Sequence, residues 1–548
     1  MLKPVVRYII AILVLFSASG LPAQVVPTYK AGTRLVLVPV VVSKGGKHLG
    51  KLSKADFTLQ EDGVARTIAG FEEVIVSREA RPQQKLASGI FSNALSTEQP
   101  QQVTAIVLDL LNMPYLKQAF ARQAMVRFLA GLPQVNQPVL LAFLTPDGLK
   151  VVHSFTQDPA DLIAALQSLK KRTTDQDVTD VVRDAQQIRE TATSMSAARN
   201  KGHADDAEVD RLTELLTAAP NYASRAREMD NTNETLSQIR QLAQALAGIP
   251  GRKSLLWVTG GLSLFFSPAP RNETEARNIN RGAESRTNEE FERTWALLSD
   301  AGVSVYPIDV AEVSVPGFSD VSVMSPVRTT STLLKAQAML GFTGNTGGRT
   351  CPLKADLENC FQAAMEDSAQ YYLLSFYAGS KGKPGWHKLH VKVASPGVQV
   401  RARNGYFFTT GAETPAARST EVTQAVTSPL DATGISLAVH WVDPPAPEGG
   451  RATFELFVDP QAISFDGETL SHFHLNVTAW AGGRSQRFAG QLAKSLEGTL
   501  KPEALEKLQR TGMLYRDAVT LPKDAEKVRF VVRDEVSGRL GSVTASVR

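Results

Sequence analysis

Cysteine is nearly absent: the 548 residues contain two, Cys351 and Cys360, and both fall in one short stretch. That excludes a disulfide-dense scaffold and leaves either one link or a pair of free thiols. A two-cysteine zinc site would need further ligands, and the flanking residues hold no histidine. Histidine is scarce as well, at eight. His387 and His390 are three apart on a strand-like stretch, so they point to opposite faces and do not easily share a metal. His472 and His474 do share a face. With His440 they outline a three-histidine site, whose plainer alternative is the solvated face of a sheet. Catalytic motifs are missing too. The chain has no G-x-S-x-G elbow, no H-E-x-x-H, no Walker loop and no G-x-G-x-x-G opening a helix.

Neither sign of charge dominates. Lys and Arg number 59 against 55 Asp and Glu, a net +4 that is too small to argue for nucleic acid or an anionic membrane. Beyond the first two dozen residues no long apolar run occurs, so no transmembrane helix is expected once that start is removed.

What is present begins with that start. Lys3 and Arg7 precede an apolar run over 8–16 (YIIAILVLF), and small and turn-forming residues follow over 17–23 (SASGLPA). The order is that of a secretory signal, here taken as residues 1–23, with an uncleaved anchor as the alternative. The run is short of the roughly 20 residues that a spanning helix needs. The expectation is an exported protein: periplasmic, on the outer surface, or secreted. In an oxidising compartment Cys351 and Cys360 are expected to form a disulfide.

The rest divides by pattern. Residues 31–79 read as a small β domain, with a valine-rich run at 34–42 and an Asp62-Gly63 turn signal. Residues 80–100 are polar and linker-like. Over 101–410, continuous apolar runs at 103–108, 139–144, 254–258 and 303–308 alternate with helical patterns, and a polar, helix-prone insertion covers about 172–232. Continuous apolar runs suit strands buried on both faces. The alternation predicts an α/β fold with a central doubly wound, mostly parallel sheet. Strands over 387–408 are expected to extend its edge. The small N-terminal β domain would flank it on one side and a C-terminal β-sandwich over 432–548 on the other. Trp386 follows Gly382, Lys383, Pro384 and Gly385 at an expected hairpin tip, where an indole could meet a partner or anchor the fold.

Taken in order, several stretches resemble the von Willebrand factor A-related proteins common in soil acidobacteria. They are LVLVPVVVSKGGKHLGKLSKADFTLQEDGV (35–64), VLDLLNM (107–113), KSLLWVTGG (253–261), GVSVYPIDV (302–310) and TGG (346–348). YYLLSFY (371–377), HKLHVKV (387–393) and VRARNGYFF (400–408) complete the set, which covers roughly residues 31–410. The resemblance implies an A-like domain with a divalent-cation adhesion site at the carboxyl ends of the strands, where open α/β sheets place ligands. Its usual ligands are an Asp, two hydroxyl residues at alternate positions, a Thr from a second loop and an Asp from a third. Such oxygen ligands suit Mg2+ or Mn2+.

Against that pattern Asp109 is in place, but Leu111 and Met113 stand at the hydroxyl positions and Gly260 at the third-loop acid. The usual site is therefore expected to be degenerate. Asp109, Asn112, Asp147, Thr259 and Asp309 all follow buried strands and outline a rebuilt cation site, with helix capping as the alternative role for the acids. The function expected is a non-enzymatic module that binds an extracytoplasmic protein or surface ligand through this rim. The rival readings are a metal-dependent hydrolase outside the cytoplasm and a purely structural envelope component.

Overall fold

The valine-rich start of the chain forms the strand Arg34–Lys44 (β1), which turns back through Lys47–His48 (β2). Phe57–Glu61 (β3) and Val64–Arg66 (β4) are joined by Asp62 and Gly63, both at positive φ as this two-residue hairpin turn requires. Gly70–Ile75 (β5) and the short Ile90–Ser92 (β6) follow. The computed structural model describes residues 34–76, 89–94, 103–113, 115–131, 137–168, 228–262, 289–310, 326–351, 357–378, 385–408, 415–443, 445–446, 449–466, 470–483 and 488–547. The signal expected over 1–23, most of the linker and the insertion through residue 227 lie outside the described residues.

The alternating segment comes next. Val103–Asp109 (β7), Tyr115–Ala130 (α1), Val139–Thr145 (β8), Gly148–Thr156 (β9) and Pro159–Ser168 (α2) precede a helix over 228–246 (α3). Lys253–Thr259 (β10), a helix over 289–300 (α4), Val303–Asp309 (β11), Pro326–Thr346 (α5) and Leu357–Ala369 (α6) complete it. Strand order is β11-β10-β7-β8-β9, with β9 antiparallel to β8 and the other neighbours parallel. Val107, Leu255, Trp257 and Val305 pack on one side against Ile239, Leu242, Phe291 and Phe342 of the helices. Ile106, Leu141, Leu256 and Tyr306 pack on the other against Met125, Leu129, Leu162 and Phe361. Burial on both faces is why these strands are apolar throughout.

Gln370–Ala378 (β12), Gly385–Val393 (β13), Gln399–Ala402 (β14) and Gly405–Phe408 (β15) then return to the start of the chain. One sheet runs β14-β1-β12-β5 and the other β15-β13-β3-β4, with Val38, Val40, Leu59, Leu374, Phe376 and Leu389 between them. Last come Pro415–Thr427 (α7), Leu437–Trp441 (β16), Gly450–Val458 (β17), Ser471–Gly483 (β18), Phe488–Leu500 (β19) and Pro502–Thr511 (α8). Met513–Leu521 (β20), Ala525–Asp534 (β21) and Leu540–Ser546 (β22) end the chain's regular structure. Sheets β20-β17-β16-β6 and β19-β18-β21-β22 face each other across Phe454, Leu456, Val477 and Phe530.

The expectation of a fold built on a central doubly wound, mostly parallel sheet is corrected by this topology. Among the described residues the chain carries five sheets, mostly antiparallel, and only one of them is mixed. Strands β13 to β15, expected over 387–408 to extend that sheet's edge, pair instead with one another and with β1 and β3, and β12 pairs with β1 and β5. The physical reason is that a continuous apolar run reports burial of both faces without saying what covers them. In β12, Tyr372, Leu374 and Phe376 face the sandwich core, while the Tyr371 hydroxyl accepts from the Arg252 N–H at the foot of the mixed sheet.

Cys351 and Cys360 are bonded, with Cα atoms 5.8 Å apart and a sequence separation of nine. Both are buried in the core on the α6 side of the mixed sheet, and the Cys351 N–H donates to the Pro307 carbonyl of β11. The link thus staples the start of α6 to the edge strand. Closing so short a loop should stabilise the fold by about 2–3 kcal/mol. The Cys351→Ser/Cys360→Ser variant is expected to lose that amount in urea melts, and reductant should bring the wild type to the same midpoint.

Candidate functional site

The carboxyl ends of β7, β10 and β11 lie side by side, because Val258 pairs with Leu108 and Thr259 with Asp309. At about 4.8 Å per strand, the Asp109 and Asp309 backbones stand about 10 Å apart across Thr259. Asp109 is completely buried. One carboxylate oxygen accepts from the Asn112 N–H at 3.1 Å; the other accepts from Asn112 Nδ2 at 2.8 Å and from Thr259 Oγ1 at 2.7 Å. The Leu111 N–H is a further donor to the same carboxyl. Asn112 Nδ2 also donates to Thr235 Oγ1 at 2.8 Å, and Thr259 Oγ1 accepts from the Gly261 N–H at 3.1 Å.

Three of the five expected rim residues are therefore brought together: Asp109, Asn112 and Thr259. Asp309 ends the neighbouring strand, half-buried and in register with Thr259. Asp147 lies apart. It sits in the β8–β9 turn, 80% exposed, and its hydrogen bond with Lys150 at 2.8 Å holds its carboxyl below the usual range.

Residues missed at the sequence level come from α3. Asn231, Thr235 and Gln238 fall at i, i+4 and i+7, on one face of that helix. Asn231 Nδ2 donates to the Leu111 carbonyl at 3.0 Å. Gln238, fully buried, donates to the Thr145 carbonyl at 2.8 Å and accepts the Thr145 N–H at 3.2 Å. Polar residues at helical spacing inside an apolar stripe were the available signal. Over the rim, the stem of Lys335 on α5 closes on Gly261 while its amine pairs with Glu228 at 3.6 Å.

These residues do not fit a divalent cation. Asp109 meets four donors from its own chain, where a cation would need converging acceptors. Met113 is buried, and Leu111 packs against the helix-side core. Gly260 passes so close to the first loop that an added Cβ would stand 2.2 Å from the Asn112 carbonyl oxygen. The third-loop acid thus has no room. Among the described residues no group of three or more His, Cys, Asp or Glu side chains is placed to hold a metal ion. His472 and His474 bond to Thr499 and Ser495 along β18 and β19, while His440 lies on β16 of the facing sheet.

Burial pushes the Asp109 carboxyl above its ordinary value of 3.8, against the pull of the bonds from Asn112, Thr259 and Leu111. What the arrangement does chemically is pin the 109–113 loop to β10 and α3.

No family model matches the chain, and no curated protein does. Among solved structures, a crystal structure of the TFIIH p34 N-terminal domain is similar at 11% identity, covering 48% of this chain and 97% of that one, with a TM-score of 0.19. Likeness at that score carries no structural argument.

Two outcomes are expected. A carboxyl raised in the folded state contributes stability that is fully present below its unfolded value and is lost as pH rises through the folded one. Asp109→Asn should therefore gain on the wild type as pH rises above the ordinary carboxyl range, read by urea melts at each pH. Gly260→Asp, which restores the usual acid, should cost about 1–3 kcal/mol through the Asn112 clash. Its melts in Mg2+ and in EDTA should superimpose.

Proposed function

We propose that this chain is an exported, non-enzymatic binding protein whose strand-end rim recognises an extracytoplasmic protein or surface ligand. The observation that carries the reading is the Asp109 carboxyl, buried and bonded by Asn112, Thr259 and Leu111. A group so enclosed is poorly placed to bind a substrate or shuttle a proton, and Asp147 lies apart from it, 80% exposed and bonded to Lys150. The same bonds make the 109–113 loop rigid, which favours a preorganised recognition surface.

Export is supported by the basic, apolar and small-residue order of residues 1–23 and by the pairing of the two cysteines. Among the described residues no helix is long and apolar enough to cross a membrane. Kinship with the von Willebrand factor A-related proteins is proposed on the motif order alone, and it concerns the segment that carries the mixed sheet and the first sandwich.

The rival hydrolase is tested by turnover. Ester, phosphoester, peptide and glycoside substrates are offered with Mg2+, Mn2+ and Zn2+, and no rate above the blank is expected. Metal-dependent turnover abolished by Asp109→Ala would overturn the reading. Recognition is tested by saturable binding of the purified chain to intact envelopes of its host. Asp147→Arg with Asn233→Arg, exposed in the β8–β9 turn and on α3 respectively, should weaken that binding. Unchanged binding would instead favour a structural envelope component with contacts spread over the surface.

A further inference from the structure

The second sheet of the first sandwich turns a chemically distinctive face outward. Along β13, Leu389 and Val391 point into the core, while Lys388, His390 and Lys392 are exposed on the opposite face, in phase with Trp386. His390 stands opposite Gln60 and Lys392 opposite Thr58, which extends the face onto β3. Trp386 lies over Gly405 so closely that a Cβ there would come within 2.5 Å of the indole. Glycine at that position lets the ring lie against the main chain, and Trp386 lines a depression of about 470 Å³. Gln60, Lys388, His390 and Asn404 share the walls of that depression with Trp386.

The charged side chains that β13 exposes on this face are both lysines. Lys388, Lys392 and the neighbouring Lys54 are exposed, and among the described residues none of the three has a side-chain ion pair. The nearby acids are engaged elsewhere. Glu61 is buried against Arg66 and Tyr406, and Asp62 is held by His387 Nδ1 at 2.7 Å and by the Lys388 N–H at 2.8 Å.

We propose that this face binds an acidic polysaccharide, with a sugar ring stacked on Trp386 and the carboxylates of further sugars paired to Lys388 and Lys392. Two residues of strand advance about 7 Å, so Trp386, Lys388, His390 and Lys392 form a line about 20 Å long that suits an extended polymer. Gln60 and Asn404 add amide donors and acceptors for hydroxyl groups. A nucleic acid strand fits less well, since successive bases need successive aromatic platforms and this line holds one indole. The site is on a different sheet from the rim and stands independently of the function proposed there.

The test is calorimetric titration of the full chain with polygalacturonate oligomers, with neutral dextran and oligo-dT as comparators. Polygalacturonate should bind and weaken as salt is raised, and dextran should give no heat. Lys388→Glu/Lys392→Glu, at two exposed positions, should keep the wild-type melting midpoint and lose about ten-fold or more in affinity. Trp386→Ala should lose affinity as well, although its packing on Gly405 makes the lysine variant the cleaner probe. Absence of polygalacturonate binding would overturn the proposal. So would wild-type affinity in the lysine variant, or oligo-dT binding as tightly as the sugar polymer, which would mark the face as a non-specific cationic surface.

Discussion

The strands described over residues 34–76 depend on pairing with partners that arrive only from residue 370 onward. Arg34 through Val40 of β1 pair with Ala378 through Tyr372 of β12, and Val40 through Ser43 pair with Ala402 through Gln399 of β14. Without those two neighbours the valines of β1 would have no sheet to complete and no second layer to cover them. Isolated hairpins are marginal in water, and β3 with β4 is no more than a hairpin until β13 joins it. The first sandwich and the mixed sheet are therefore not beads on a string. The chain leaves the sandwich, builds the mixed sheet, and comes back to close what it began.

The seam between the two is polar and buried. Arg252, fully buried, donates to the Tyr306 hydroxyl at 3.2 Å and to the Gly347 carbonyl at 2.6 Å. The Tyr306 hydroxyl donates to Asp367, which also receives the Arg401 fork from β14. Burial pushes the Tyr306 phenol up to about 12, so it remains a neutral donor across the physiological range. Removing one member of such a network strands the others, which is why it specifies one arrangement of the two units more than it adds to stability. The last sandwich is docked in a similar way. Gln424 Nε2 of α7 donates to Ser237, and the Thr433 hydroxyl accepts the Gly248 N–H beyond α3.

Much of the local structure was legible, and the reason is periodicity. The runs at 103–108, 139–144, 254–258 and 303–308 became β7, β8, β10 and β11 because β-branched and apolar residues without alternation have few other stable uses at that length. That Leu111, Met113 and Gly260 offer no side-chain oxygen was also visible, since it is a matter of residue type. What the letters could not carry was which surfaces meet. Tyr371 to Tyr377 has the same pattern as a parallel strand, and its second face is covered by Tyr371 packing with Val41 and Val74 while its hydroxyl reaches Arg252. The Asn231, Thr235 and Gln238 face was missed because helical amides read as solvent-facing unless their acceptors are known. Those acceptors, Leu111 and Thr145, sit on other elements.

The late closure of the first sandwich also has a consequence in time. A ribosome adding about 5–20 residues per second needs on the order of tens of seconds to pass from β1 to β15. Throughout that interval the leading segment has no stable fold available to it. For a chain that carries an export leader, as proposed, this keeps the end that must be threaded first in an unfolded, translocatable form without any sequence devoted to slowing it. The same delay leaves the valine edge of β1 unprotected until β12 appears, so a holding chaperone should find its natural client in the nascent chain and not in the finished protein.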